Sequence, residues 1–330
     1  MAAEHPRRVL LTADTVGGVW TYAVELCAAL AARGVRVALA TMGRTLSAAQ
    51  RAQIAAVPAV TLHESAYRLD GMNEPWDDVA RAGAWLLRLE RELRPDLVHL
   101  NQFAFGALPF AAPTLVVAHS CVCSWWRAVH GEIAPTQWNR YRQAVAKGLA
   151  SATLVGAPTR AMLRTLAENY GFEREGVVLP NGRSADRYTP AAEARVVFAA
   201  GRLWDAAKNL AALDAIAPAL PWPVHVAGSN AHPDGGACGT RNVVAVGELE
   251  PDALAQHLAR AAIFAHPAFY EPFGLSVLEA ALSGCALVLG DIPSLREVWG
   301  DAALYVPPGD HAALRDALLR LIEDESLRRT

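Results

Sequence analysis

Two doubly wound α/β sheets joined by one linker are what this sequence predicts, on three observations. Short β-branched or leucine-rich runs alternate with Ala/Leu/Arg stretches of helical period, the pattern of βαβ units and parallel sheets. The series breaks after Pro180-Asn181-Gly182 in a polar stretch running through Thr189-Pro190, and then starts again. The chain has 330 residues, more than one ordinary domain holds.

In order, strands are expected at 8–13, 35–41, 60–63, 97–101, 115–120, 153–157 and 177–179, with helices at 19–32, 77–93, 136–150 and 160–170. These form a first domain over 1–182, followed by a linker at 183–195. The second domain, 196–330, has expected strands at 196–199, 224–227, 243–246, 263–266, 286–289 and 303–306. Its helices are expected at 210–215, 251–262, 275–283 and 312–323. Ligands of open α/β sheets sit at the carboxyl ends of strands, so chemistry is sought in the loops there.

Composition narrows the partners. A hydrophobic fraction of 53% with 19% charged residues fills substantial cores and excludes a disordered chain. A formal net charge of −3 supplies no broad field for a nucleic-acid backbone or an anionic membrane, although a local basic patch and peripheral membrane contact stay open. The five cysteines, Cys27, Cys121, Cys123, Cys238 and Cys285, lack paired metal-ligand spacing and read as reduced, mostly buried thiols. No apolar run reaches the roughly 20 residues of a membrane span, and Met1 to Arg8 lacks a signal-peptide pattern, which predicts a cytoplasmic protein.

Three segments carry candidate chemistry. Thr15-Val16-Gly17-Gly18-Val19 follows the first strand and opens a helix. Its glycines allow a sharp turn and close approach to a ligand, and the helix start offers N–H groups to an anion; a purely structural turn reads equally well. The G-x-G-x-x-G of dinucleotide enzymes is absent. Gly201-Arg202-Leu203-Trp204-Asp205-Ala206-Ala207-Lys208-Asn209 ends the first strand of the second series. Arg202 offers a planar fork and Lys208 a mobile point charge, both suited to a diphosphate, against the alternative of a solvated loop.

In Glu271-Pro272-Phe273-Gly274-Leu275-Ser276-Val277-Leu278-Glu279, two carboxylates flank a helix start that Pro272 and Gly274 shape. They can accept hydrogen bonds from sugar hydroxyls while the helix end holds phosphate; two exposed glutamates are the alternative. A further segment, Trp125-Trp126-Arg127 with His130, offers indole faces and a cation to an acceptor, or supplies core tryptophans.

The Glu-x7-Glu element, Gly-Arg-Leu…Lys-Asn, the N-terminal Gly-Gly and Val117-Ala118-His119-Ser120 stand in the order seen in retaining glycosyltransferases of family four (glycosyl transferases group 1), which the chain resembles over nearly its whole length. The resemblance implies the GT-B fold, two Rossmann-like domains facing across a cleft, and transfer of a sugar from a nucleotide-diphosphate sugar to a hydroxyl acceptor with retained configuration. It implies that Arg202 and Lys208 hold the donor diphosphate and that Glu279 binds the ribose. Glu271, with the backbone N–H groups of Phe273, Gly274 and Leu275, would meet the donor sugar and phosphate. Gly17 and Gly18 would approach the diphosphate or the acceptor, and His119 would stand beside the donor sugar as neutral imidazole.

Lys208 lies one residue farther from Arg202 than the family spacing, and many members continue past the position of Thr330 into a helix that returns to the first lobe. No Asp-x-Asp triplet occurs, so no metal or other cofactor is expected. A nucleotide-sugar epimerase of the same architecture and a non-catalytic nucleotide-sugar sensor are the competing readings.

Overall fold

A computed structural model describes residues 6–230 and 239–329. The chain divides into two units: residues 1–124 with 133–182, and residues 125–132 with 183–330.

The first unit is built on a parallel sheet of strands β1 (Arg8–Asp14), β2 (Arg36–Met42), β3 (Val60–Glu64), β4 (Leu97–Leu100), β5 (Thr114–Val117), β6 (Leu154–Ala157) and β7 (Val177–Val178). Their spatial order is β3-β2-β1-β4-β5-β6-β7. Alternation along β1 sends Val9, Leu11 and Ala13 into a cluster with Trp20, Ala23 and Cys27 of helix α1 (Gly18–Ala31). Leu10, on the opposite face, is equally buried, as are Leu86 and Leu89 of α3 (Trp76–Leu93). Helices on both faces explain why the strands read as continuous apolar runs rather than alternating ones.

Helix α2 (Ala48–Ala55) was not expected, yet Ser47 and Gln50 close a capping box at its start, a signal present in the sequence. The expected helix at 136–150 divides into a short 3₁₀ turn, Thr136–Trp138, and α5 (Asn139–Ser151). Helix α6 (Arg160–Tyr170) lies where expected and is capped by Thr159. The segment Cys121 to Gly131 contains a further unexpected helix, α4 (Val122–His130).

The second unit repeats the plan with β8 (Ala194–Ala200), β9 (Val224–Ala227), β10 (Val244–Gly247), β11 (Ala261–His266), β12 (Ala286–Gly290) and β13 (Leu304–Val306), in the order β10-β9-β8-β11-β12-β13. Val197, Ile263 and Val288 face α7 (Leu210–Ile216) and α11 (His311–Glu323) through Leu213, Leu314 and Leu318. Phe198, Phe264 and Leu287 pack on the other face against α8 (Pro251–Arg260), α9 (Leu275–Leu282) and α10 (Pro293–Trp299). The expected helix at 251–262 ends at Arg260 because Ala261 already begins β11. A short α12 (Glu325–Arg328) follows α11.

Cys27, Cys121, Cys123 and Cys285 are buried free thiols, whereas Cys238 lies outside the described residues. Among the described residues no helix is long and apolar enough to cross a membrane.

Candidate active site

Each sheet reverses its strand order once, between β1 and β4 and between β8 and β11. Loops leaving neighbouring strands diverge at such a point and open a crevice at the strands' carboxyl ends. Two of the three charged or glycine-rich segments follow β8 and β11, and the third follows β1.

In the second unit the loop after β8 carries Arg202 and Lys208, and the loop after β11 carries Glu271. A 3₁₀ turn, Ala206–Lys208, shortens the path, so that despite its extra residue Lys208 Nζ reaches Glu271 Oε2 at 2.6 Å. Asn209, in the left-handed region at φ 56°, locks the arrangement: its Nδ2 donates to the carbonyls of Pro267 (2.9 Å) and Pro308 (2.7 Å). His266, buried at the end of β11, lies 3.2 Å from Glu271 Oε2, and Ser294 Oγ donates to the Glu271 carbonyl at 2.5 Å. Burial alone would raise the Glu271 carboxyl; the Lys208 ammonium and the His266 hydrogen bond outweigh it and hold the group ionised, well below the ordinary carboxylate range.

Gly274, at φ 92°, begins α9 in a conformation that glycine adopts without strain. Glu271 Oε1 accepts from the N–H groups of Gly274 (3.0 Å) and Phe273 (3.4 Å). Two of the three N–H groups expected to meet phosphate are therefore engaged by Glu271, and the donors that the first turn of α9 presents begin at Leu275, where no intrahelical acceptor exists.

Arg202 Nη2 bonds Asp205 Oδ2 at 2.6 Å, with the guanidinium 42% exposed and so open to a ligand. Asp205 is itself buried, and its Oδ1 accepts from Ala207 N (3.0 Å) and Trp125 Nε1 (2.8 Å). Sequence reasoning did not single out Asp205, although it stands within the segment that was singled out. Trp125 thus uses its indole N–H structurally, while Trp126 stacks obliquely on His130 with centroids 4.5 Å apart. Both tryptophans are half-buried and Arg127 is exposed.

Glu279, on the second turn of α9, is buried with Arg183: Arg183 Nε lies 2.8 Å from Glu279 Oε1 and each side chain is 8% exposed. Arg183 and Tyr188 fall in the stretch expected to be a linker, where nothing in the local pattern marked them.

At the corresponding point of the first unit β1 ends on Asp14, whose Oδ1 accepts from Val16 N at 2.9 Å. Gly17 (φ 81°) opens α1, and both it and Gly18 are exposed. His119 lies just beyond β5, which ends at Val117 rather than continuing to Ser120; its Nε2 is 2.9 Å from Asn101 Oδ1, and its ring meets Tyr22 edge-on at 4.4 Å. Burial, with His99 nearby, lowers the His119 imidazole to about 3, so it is neutral at physiological pH. Asn101 is fixed in turn by Thr12, whose carbonyl accepts from its Nδ2 at 2.6 Å.

Comparisons with known proteins speak for the family and the fold. The profile of Glycosyltransferase Family 4 matches residues 16–187, and that of Glycosyl transferases group 1 matches residues 194–324. O-antigen chain mannosyltransferase B of Escherichia coli is 39% identical over 83 residues, 25% of this chain and 22% of that protein. A probable sucrose-phosphate synthase of Solanum tuberosum is 43% identical over 68 residues, 20% of this chain and only 6% of its own length. D-inositol 3-phosphate glycosyltransferase of Geodermatophilus obscurus is 27% identical across 93% of this chain and 78% of that one.

Among solved structures, sucrose-phosphate synthase from Thermosynechococcus elongatus superposes with a TM-score of 0.79 at 19% identity, covering 98% of this chain and 92% of that chain. Anabaena HepE, solved with UDP and glucose, gives 0.74 at 18% identity, covering 99% and 92%. At such identities the structural likeness speaks for the fold, while the profile match over more than half of the chain speaks for the family. The chain is a glycosyltransferase of GT-B fold and belongs to glycosyltransferase family 4.

Proposed function

We propose that this enzyme transfers a sugar from a nucleotide-diphosphate sugar to a hydroxyl acceptor with retention of configuration and without a metal ion. The observation that supports the reading is the pair of cations on the loop after β8, with Lys208 bonded to Glu271 just before α9 and Arg202 bonded to Asp205 with its side chain partly exposed. A departing nucleoside diphosphate leaves negative charge on its β-phosphate, and preorganised cations and helix N–H groups stabilise that charge as it grows. Lys208 keeps donors beyond the one on Glu271, and Arg202 keeps four of its five beyond the one on Asp205. One charge-assisted hydrogen bond is worth about 1.5–3 kcal/mol, so a few of them speed departure by several powers of ten.

Glu271 acts here as a positioning carboxylate for the donor sugar. It is ionised and tied to Lys208, His266 and two backbone N–H groups, so it is poorly set to attack carbon. Attack by the acceptor hydroxyl from the leaving-group face, with the phosphate taking the hydroxyl proton, needs no covalent enzyme intermediate. His119, neutral and anchored by Asn101, is the hydrogen-bonding partner for a donor-sugar hydroxyl. Trp125, Trp126 and Arg127 are the acceptor-side candidates. The same reading makes the enzyme cytoplasmic, since nucleotide sugars of the kind proposed are a cytoplasmic currency of biosynthesis. HepE, whose structure was solved with UDP and glucose, supports a nucleotide donor.

The test is thermal unfolding against UDP, GDP and ADP sugars, where a ligand at 100 times its dissociation constant adds about 2.7 kcal/mol. Transfer, or slow donor hydrolysis, with the stabilising sugar nucleotide should persist in excess EDTA. Complete loss restored by magnesium or manganese would overturn the metal-free mechanism.

A further inference from the structure

The buried ion pair on α9 invites a question that the donor reading alone does not answer: what an arginine is doing inside the second unit, bonded to the carboxylate that is proposed to bind ribose. Arg183 is enclosed as fully as its partner, with both side chains 8% exposed, which separates it from ordinary surface pairs. Its guanidinium does more than neutralise. Nε and Nη2 also donate to the hydroxyl of Tyr188 at 3.2 and 2.5 Å, and the guanidinium carbon lies 5.5 Å from that ring's centroid. Tyr188 is 5% exposed, and with its oxygen accepting from Arg183 its proton is directed to Glu279.

Counting lone pairs shows what this arrangement leaves. A carboxylate accepts about four hydrogen bonds, and a ribose diol brings two donors to one that Arg183 and Tyr188 already hold. Two fixed partners restrict the rotamers of a side chain that has three rotatable bonds. Resting on the reading that Glu279 binds ribose, we infer that Arg183 and Tyr188 are positioning residues that hold the Glu279 carboxylate toward a ribose diol, making the site selective for ribonucleoside over 2′-deoxyribonucleoside diphosphates. Burial raises the Glu279 carboxyl, and Arg183 opposes that rise.

The experiment is calorimetry of the full chain with UDP, GDP and ADP and their 2′-deoxy counterparts, and with inorganic pyrophosphate as a probe of the Arg202/Lys208 locus. The wild type should prefer its best ribonucleotide over the deoxy form by roughly tenfold or more, the worth of one hydrogen bond to a charged group. Glu279→Gln should abolish the preference. Arg183→Lys, which keeps the charge but cannot span two acceptors, and Tyr188→Phe, which removes only the hydroxyl, should each reduce it severalfold while leaving pyrophosphate affinity unchanged. If Arg183→Lys fails to fold, Tyr188→Phe decides. Preference intact in folded Arg183→Lys and Tyr188→Phe, but lost in Glu279→Gln, overturns the positioning role and leaves the ribose reading standing. No preference in the wild type, or a preference that survives Glu279→Gln, overturns both.

Discussion

The two units share a plan and differ in charge. Each has an all-parallel sheet that reverses strand order once, with a glycine-opened helix near the reversal, α1 after β1 in the first and α9 after β11 in the second. At the first reversal Asn101, Thr12, His99, His119 and Tyr22 form an uncharged network. At the second, Arg202, Asp205, Lys208 and Glu271 form two ion pairs at 2.6 Å. The contrast teaches that topology supplies the place and side chains supply the chemistry. The first network presents neutral hydrogen-bonding groups, whereas the second sets two cations beside two carboxylates.

The largest effect that would break this comparison is expected at Lys208. Lys208→Ala strands Glu271 as a buried, unpaired carboxylate, and breaking such a pair costs about 3–5 kcal/mol. Thermal unfolding should show a fall of roughly 10 °C, together with loss of turnover. Glu271→Gln in the Lys208→Ala background should recover much of the stability, because no buried charge is then unpaired, and none of the turnover. A double variant as unstable as Lys208→Ala would mean that the pair is not what holds the two loops together.

Arg202→Ala comes next and should act on rate rather than fold, since the guanidinium is partly exposed while Asp205 keeps its bonds to Ala207 and Trp125. Turnover should fall roughly tenfold to a thousandfold if the cation meets charge that grows in the transition state, with a smaller change in KM. Unchanged kinetics in the folded variant would remove Arg202 from the chemistry.

How far these features were legible in the sequence follows from range. Strand runs and helical periodicity are local signals, and the two sheets and most helices were readable from them. The Ser47/Gln50 box marked α2 just as locally and was passed over. Arg202, Lys208, Glu271 and Glu279 were readable because they stand in ordered motifs at strand ends. Arg183, Tyr188 and His266 were not, because their importance lies in partners brought near by the fold: Arg183 meets Glu279 across most of the second unit's sequence. Asp205 sits in a readable motif, but its role depends on Trp125, which only the folded chain brings within 2.8 Å. The helix start at Gly274 was legible from spacing, whereas the capture of its first N–H groups by Glu271 depends on a side-chain rotamer that spacing does not specify.

The smallest expected effect is also the most direct comparison of the two units, because acid should reach them at different pH. Burial holds the His99 imidazole near 4, against about 6.5 in an unfolded chain. Between those values the unfolded first unit binds a proton that the folded one refuses, so its stability falls as pH drops through that window. In the second unit Glu271 is depressed below the ordinary carboxylate range, so its contribution is complete above about pH 4.5 and is lost only as pH falls from there toward the folded value. Glu279 runs the other way: its folded carboxyl is raised, so the folded state takes up its proton first and gains stability as pH falls toward the ordinary value. Acidification from about pH 6.5 to 5 should therefore weaken the first unit, through His99 and His119, more than the second, where burial also lowers His225. Hydrogen exchange, corrected for the intrinsic pH dependence, should show protection falling in β1 and β4 while β8 and β11 hold. His99→Gln, which cannot titrate, should reduce the response of the first unit and leave the share that His119 carries. Equal loss in both sheets, or an unchanged slope in that variant, would show that the neutral network is not what makes the first unit acid-sensitive.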